Sequence, residues 1–229
     1  MPPRLYAIGD IHGYAGHLLD LHARLLDDGM DPDRDTVVFL GDYIDRGPES
    51  RRVVEIVRAY LRAHPHWIAL AGNHEDMLLY LLQHGVDDPG EFDLWWHQGG
   101  RETFLSYGGT LGDHRGHPRS LISVIDADHR DWLASRPTMY ETARHVFVHG
   151  GLVPGRSASQ TDPHHRIWIR EPFLSSTYDW GKIVVHGHTP VVEPVIRPNR
   201  IDIDTVLRGG YLTAVELSGD APRFLHSTR

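Results

Sequence analysis

Short apolar runs alternate with longer amphipathic ones along the first third of the chain. Residues 5–8 (LYAI), 36–40 (TVVFL) and 67–70 (WIAL) have the length of buried strands. Between them, HLLDLHARLLDD and ESRRVVEIVRAYLRA repeat apolar residues at three-and-four spacing, the period of a helix with one buried face. Strand alternating with helix predicts βαβ crossovers and a largely parallel sheet. From Met77 to about Met139 the pattern turns mostly helical, with a tryptophan pair at Trp95 and Trp96 and several glycine breaks. This stretch reads as an insertion capping one side of the molecule. Strands return at HVFVHGG and KIVVHGH. The C-terminal runs IDIDT, YLTAVEL and PRFLH alternate as antiparallel strands of a second sheet would, with Gly209–Gly210 as a hairpin turn.

Composition narrows the picture. A chain of 229 residues that is 40% apolar can bury a substantial core, and residues 1–229 are expected to form one domain. Cysteine is absent, so a metal would have to use nitrogen and oxygen ligands. The net charge of −8 argues against sequence-independent nucleic-acid binding, which clustered Lys and Arg would drive. The start, MPPRLYAIGD, has no apolar stretch of signal-peptide or membrane-span length, and a cytoplasmic protein without membrane partners is expected.

Chemistry enters at the strand ends. Each apolar run is followed by a polar group beside glycine: Asp10 and His12 in GDIHG; Asp42, Asp45 and Arg46 in GDYIDRG; Asn73 and His74 in GNHE; His149 in HGG; His186 and His188 in HGHTP. Asp10 and His12, two apart, would share a face if the strand continued through them. In an open α/β sheet the carboxyl ends of strands meet at one edge, where ligands bind, and glycine lets the backbone turn sharply there. The groups should therefore converge into a cluster of Asp, Asn and His whose charge and lone pairs call for cations. A nitrogen and oxygen set without sulfur suits Mn, Fe, Zn or Ni. Two such ions roughly 3.5–4 Å apart are a common device for in-line displacement at phosphorus, generating hydroxide and neutralising the transferring group.

GDxHG, GDxxDRG, GNHE, HGG and GHTP, in this order between residues 9 and 190, resemble the signature of the calcineurin-like metallophosphoesterases. More narrowly they resemble PPP-type serine/threonine phosphatases of the short bacterial and phage kind. The resemblance implies a four-layer α/β/β/α sandwich of two mixed β-sheets with a helical insertion, and a site for two divalent metals, with Mn expected to support activity best. It implies Asp10 and His12 on the first metal, Asp42 bridging, and Asn73, His149 and His188 on the second. His186 is left open as a neighbour of this shell. His74 would protonate the leaving oxygen, oriented by Asp45, while Arg46 and Arg170 would grip phosphate oxygens. Family members ending in GHxH use the later histidine as a further ligand; here Pro190 stands there, so one ligand fewer is expected, with water in its place.

The implied activity is metal-dependent phosphomonoester hydrolysis, first of phosphorylated proteins or peptides. A dinucleoside tetraphosphate hydrolase, acting on a small phosphorylated molecule, is the alternative, and a non-enzymatic binding module the remote one. Trp168 reads as core or pocket wall, and Trp95–Trp96 as a lid over a base or as packing. His164 and His165 read as residues that could line the substrate mouth. Glu75 and Asp76 read as acidic residues favouring a helix start, and Asp113, His114 and His117 as a solvated loop.

Overall fold

The computed structural model describes residues 2–85, 89–110 and 123–228. Among the described residues, ten strands form two five-stranded mixed sheets. The first contains β1 (Leu5–Ile8), β2 (Thr36–Phe39), β3 (Ile68–Ala69), β9 (Thr213–Glu216) and β10 (Arg223–His226), ordered β10-β9-β1-β2-β3. The second contains β4 (Met139–Glu141), β5 (His145–Val148), β6 (Ile183–His186), β7 (Val195–Arg197) and β8 (Arg200–Asp202), ordered β4-β5-β6-β8-β7. Three parallel strands sit in each, β1-β2-β3 and β5-β6-β8, with antiparallel strands completing the edges.

Alternation along the strands builds the layers. Ala7, Val38, Leu40, Phe147, Val185, Ile201 and Val215 pack together between the sheets. Tyr6, Ile8, Val37 and Phe39 face the other way, onto α1 (Ala15–Asp27) and α2 (Ser50–Ala63). Those helices bury Leu18, Leu21 and Leu25, and Val53, Val54 and Val57, the positions their three-and-four spacing predicts. On the outer side of the second sheet, Val146, Val148 and Val184 pack with Leu152, Ile169 and Phe173. The result is the expected α/β/β/α sandwich. Its helical insertion includes α4 (Pro89–Trp95), a wide turn through Trp96–Gly100 and α5 (Arg101–Ser106), with α6 (Ala127–Ala134) before β4.

Four expectations change. The helical stretch begins at Asn73, inside GNHE, because α3 (Asn73–His84) starts on the motif. The two last strands join the first sheet rather than the second: β9 runs antiparallel to β1 with Ala7 opposite Val215, and β10 continues beyond it. Arg200–Asp202 does lie in the second sheet, but parallel to β6. Gly209–Gly210 therefore closes no hairpin; the turn there carries the chain from one sheet to the other. Alternation fixes which face a residue takes and says nothing about which strand it pairs with. Trp95, fully buried, packs the insertion onto the first core rather than covering a ligand. Asp113, His114 and His117 lie outside the described residues. No helix among the described residues is long and apolar enough to cross a membrane.

Candidate metal centre

The polar groups do converge, by sharp turns rather than by pleating. β1 ends at Ile8, and His12 sits beyond it at φ 47°, so Asp10 and His12 reach the site from a loop, not from one strand face. Among the described residues, the non-glycine positions with positive φ are His12, Asp42, Asp45, Arg46 and His188, every one a predicted site residue. Left-handed backbone is unfavourable for side chains with a Cβ and persists where the surroundings over-determine it. Two glycines make room. A Cβ at Gly72 would run into Asp42 Oδ1, and one at Gly187 into Asp10 Oδ1.

Each of three histidines is anchored by a backbone carbonyl, which can only accept, so the contacting nitrogen carries the proton. His12 Nδ1 donates to Ile44 O (3.0 Å), His149 Nδ1 to Leu40 O (3.0 Å) and His188 Nε2 to Trp168 O (3.2 Å). The other ring nitrogen then presents a lone pair, as a metal-ligating imidazole requires. His149 Nε2 and His188 Nδ1 both point at Asn73 Oδ1, at 2.9 and 2.7 Å. With the ring protons committed to the carbonyls, these are acceptors facing an acceptor. His149 Nε2 also lies 3.3 Å from Asp42 Oδ1, and His12 Nε2 lies 3.5 Å from Asp42 Oδ2. Asp42 is the shared member of two compact donor groups, His12–Asp42–His74 and Asp10–Asp42–His149.

All of these groups are buried. Burial first, then the neighbouring carboxylates Asp204 and Glu75, push Asp10 and Asp42 respectively well above the usual carboxylate range. Burial likewise pushes His12 and His149 well below the usual imidazole range. Clustered carboxylates, inward lone pairs and an orphaned Asp10 Oδ1 fit cations as the completing partner, and two donor groups sharing one aspartate fit a pair of divalent ions.

Beside the centre stands a hydrogen-bonded dyad. His74 Nδ1 meets Asp45 Oδ2 at 2.7 Å, with both side chains buried. Burial pushes Asp45 up and, with Arg46 and Arg170 nearby, pushes His74 down, so the pair shares one proton in its neutral form. The other nitrogen, His74 Nε2, lies 3.3 Å from Arg46 and 3.9 Å from Asp42 Oδ2. That proximity draws His74 into the donor group with His12 and Asp42, while Asp10 groups with Asp42 and His149.

Arg170 donates to His188 O at 3.0 Å and remains exposed, beside the centre. His186 differs. Its ring packs on Phe173, Nδ1 donates to Gly187 O (3.0 Å) and Nε2 faces Arg200 (3.5 Å), rather than joining the converging donors. Trp168 is a half-buried wall whose indole donates to Asp76 (2.8 Å), with exposed His164 stacked on it at 5.8 Å and 21°.

Four contributors escaped sequence reasoning. Glu75, read as a helix-start charge, accepts from the N–H groups of Asp42, Tyr43, Ile44 and Gly72 at 2.8–3.3 Å, fastening the GDYI loop to α3. Thr103 Oγ1 donates to Asp45 Oδ1 at 2.6 Å and accepts from Asp45 N at 2.8 Å. Gln98 Oε1 accepts from Arg46 at 2.9 Å. Asp204, buried in the loop after β8, is within reach of Asp10. Only Asp204 carried a usable signal: it closes IDID, another acidic residue ending an apolar run.

A family model described as calcineurin-like phosphoesterase matches residues 3–210. The chain belongs to the calcineurin-like phosphoesterase family. It is 30% identical, over 91% of its own length and 88% of the relative's, to bis(5'-nucleosyl)-tetraphosphatase PrpE [asymmetrical] of Bacillus cereus strain ATCC 10987. A solved structure assigned provisionally as a diadenosine tetraphosphatase superposes with TM-score 0.69 at 20% identity, covering all of this chain and 97% of the other. A serine/threonine phosphatase of Saccharomyces cerevisiae superposes with TM-score 0.65 at 14% identity, covering 99% of this chain and 80% of the other, a likeness of fold alone. This calcineurin-like phosphoesterase is a metal-dependent phosphohydrolase with donors for two divalent ions. The narrower PPP-type reading is not favoured, since relatives and structures mix tetraphosphatases with protein phosphatases.

Proposed function

We propose that this phosphoesterase hydrolyses the phosphoanhydride chain of dinucleoside polyphosphates, reversing the preference for phosphoproteins read from the motifs. One observation carries the reading: near full-length correspondence with curated bis(5'-nucleosyl)-tetraphosphatases, whereas the likeness to protein phosphatases is one of fold.

In this reading Asp10, His12, Asp42, Asn73, His149 and His188 hold the two cations. When bound, the pair supplies an activated water and neutralises charge on the phosphoryl group. Arg46 and Arg170 take phosphate oxygens, Arg46 through a planar donor fork that Gln98 holds in place. His74 delivers a proton from Nε2 to the leaving phosphate oxygen, and Asp45 fixes the ring through Nδ1. Burial is the main reason His74 is lowered, and polyphosphate between the two arginines offsets the repulsion that adds to it, making the protonated form more accessible. The His164–Trp168 stack, next to His188, offers an aromatic face to a base.

The test compares kcat/KM for diadenosine tetraphosphate, pSer/pThr peptides and pTyr peptides at matched Mn concentration. The dinucleotide should be preferred by more than about tenfold, equivalent to ~1.4 kcal/mol of differential transition-state stabilisation. Chromatography of the products would separate AMP plus ATP from two ADP. A comparable preference for phosphopeptides would restore the protein-phosphatase reading.

A further inference from the structure

The loop after β8 carries a carboxylate that no motif marks. Asp204 is 1% exposed, and neither of its oxygens has a hydrogen-bond donor among the described residues. Asp10 Oδ1 is orphaned in the same way. The two side chains lie within hydrogen-bonding reach of each other, so carboxyl faces carboxyl with no N–H or O–H from any other described residue between them. Arg46, Arg170 and Arg208 add positive field at Asp204, yet none donates to it.

The surrounding backbone holds this approach in place. A Cβ at Gly9 would run into the Ile203 carbonyl. Ile203 N donates to His186 O (3.1 Å), Val191 N to Asp204 O (2.8 Å), and Asp204 N to Asp202 Oδ1 (3.1 Å). The main-chain N–H and C=O of Asp204 are thus both engaged, while neither oxygen of its side chain receives a donor. Two carboxyls this close and this deeply buried cannot both ionise at low cost unless a positive charge lies with them.

We propose that Asp204 is an additional anionic donor of the metal centre, giving a carboxylate oxygen to the cation that Asp10 holds. It supplies from a different loop the ligand that Pro190 cannot. The proposal rests on Asp10 being a cation ligand and is independent of the substrate.

The test titrates the metal-stripped full-length protein with Mn²⁺ by calorimetry, comparing the unsubstituted chain with Asp204→Asn and Asp204→Ala, and records the melting temperature of each before metal is added. Two equivalents should bind the unsubstituted chain. In both variants one equivalent should weaken by about tenfold or more, in the range known for disturbed metal environments, while the other changes little. Before metal is added both variants should melt at or above the unsubstituted chain, because two carboxyls no longer crowd one buried space. Unchanged binding of two equivalents in the variants would overturn the proposal. So would a lower melting temperature of both metal-stripped variants, which would make Asp204 a structural residue. Fewer than two equivalents on the unsubstituted chain would overturn the binuclear centre, and this proposal with it.

Discussion

The strand-end loops and the inserted helices serve one site in opposite ways. The loops present lone pairs: His12, Asp42 and His188 stand on left-handed backbone, beside glycines that keep the way clear. The insertion presents hydrogen bonds instead, with Thr103 on Asp45, and Gln98 and Gly99 O on Arg46. A Cβ at Gly99, itself at φ 108°, would strike Arg46 N, so the wide turn is seated directly on the arginine's backbone. Donor atoms for a cation must be of particular types in particular places, and the loops advertise them. Groups that hold another side chain can be ordinary polar residues, and the insertion conceals them. Positioning is half of this site and almost none of its visible signature.

The largest effects should come from the loops and should divide by role. Asp42→Ala is expected to lose bound metal and bring turnover to background, measured by elemental analysis beside activity, because Asp42 belongs to both donor groups. His74→Ala should keep its metal and lose ~10²–10⁴-fold in turnover, the usual range for removing a general acid, most severely on substrates with poor leaving groups. Loss of metal in His74→Ala with Asp42→Ala still fully loaded would break the division.

The insertion should give a smaller and cleaner effect. Thr103→Val leaves a buried carboxylate oxygen on Asp45 without its O–H donor, a loss of ~1–3 kcal/mol. Falling on the chemical step, it would lower kcat by about ten- to a hundredfold with both metals retained, and Thr103→Ser should restore most of it. Gln98→Ala should act through Arg46, chiefly by raising KM. If Thr103→Val leaves kcat unchanged, the insertion is only a cover and the contrast fails.

The smallest effect lies away from the centre, before β2, and serves as a control. Asp35 accepts from Arg4 N, Arg4 Nε and Asp31 N. Burial pushes its carboxyl up, but these donors outweigh burial and hold it below its ordinary value. A depressed folded value means stability present above the unfolded pKa, about 3.9 for Asp, and lost as pH falls through the folded one. Asp35→Asn should therefore lower the melting temperature at pH 7, with the gap closing below about pH 4, and should leave kcat unchanged. A gap that persists at lower pH would show that the carboxyl's charge is not what matters.

Much of this was legible in the chain because it is local. Leu18, Leu21 and Leu25 face the core at the spacing that predicted them, and the donors of GDIHG, GNHE and HGG each follow a readable strand. What stayed hidden depends on partners far away in sequence. Thr103 and Asp45 are 58 residues apart, and a threonine on a short helix has no mark that says it will meet a buried aspartate. Glu75 looked like an acidic residue at a helix N-terminus, which it is; that it also receives N–H groups from residues 42–44 follows only from packing α3 against that loop. The pairing of β9 with β1 was hidden for the same reason, since alternation in YLTAVEL is satisfied equally by either sheet.

The donor set also has a history within each molecule's own synthesis. Asp10 and His188, joined through His188 N–H and Asp10 Oδ2, are 178 residues apart, and the donors come from loops of both sheets. Closing so long a loop is slow and must precede any reward from the contact. An emerging chain can bring together His12, Asp42 and His74 from the first sheet, but the full donor set waits until β6 has left the ribosome and settled beside β5. Loading of the full pair of ions is thus a late event in maturation, and chelation of the finished protein should loosen the join between the sheets before it disturbs either one.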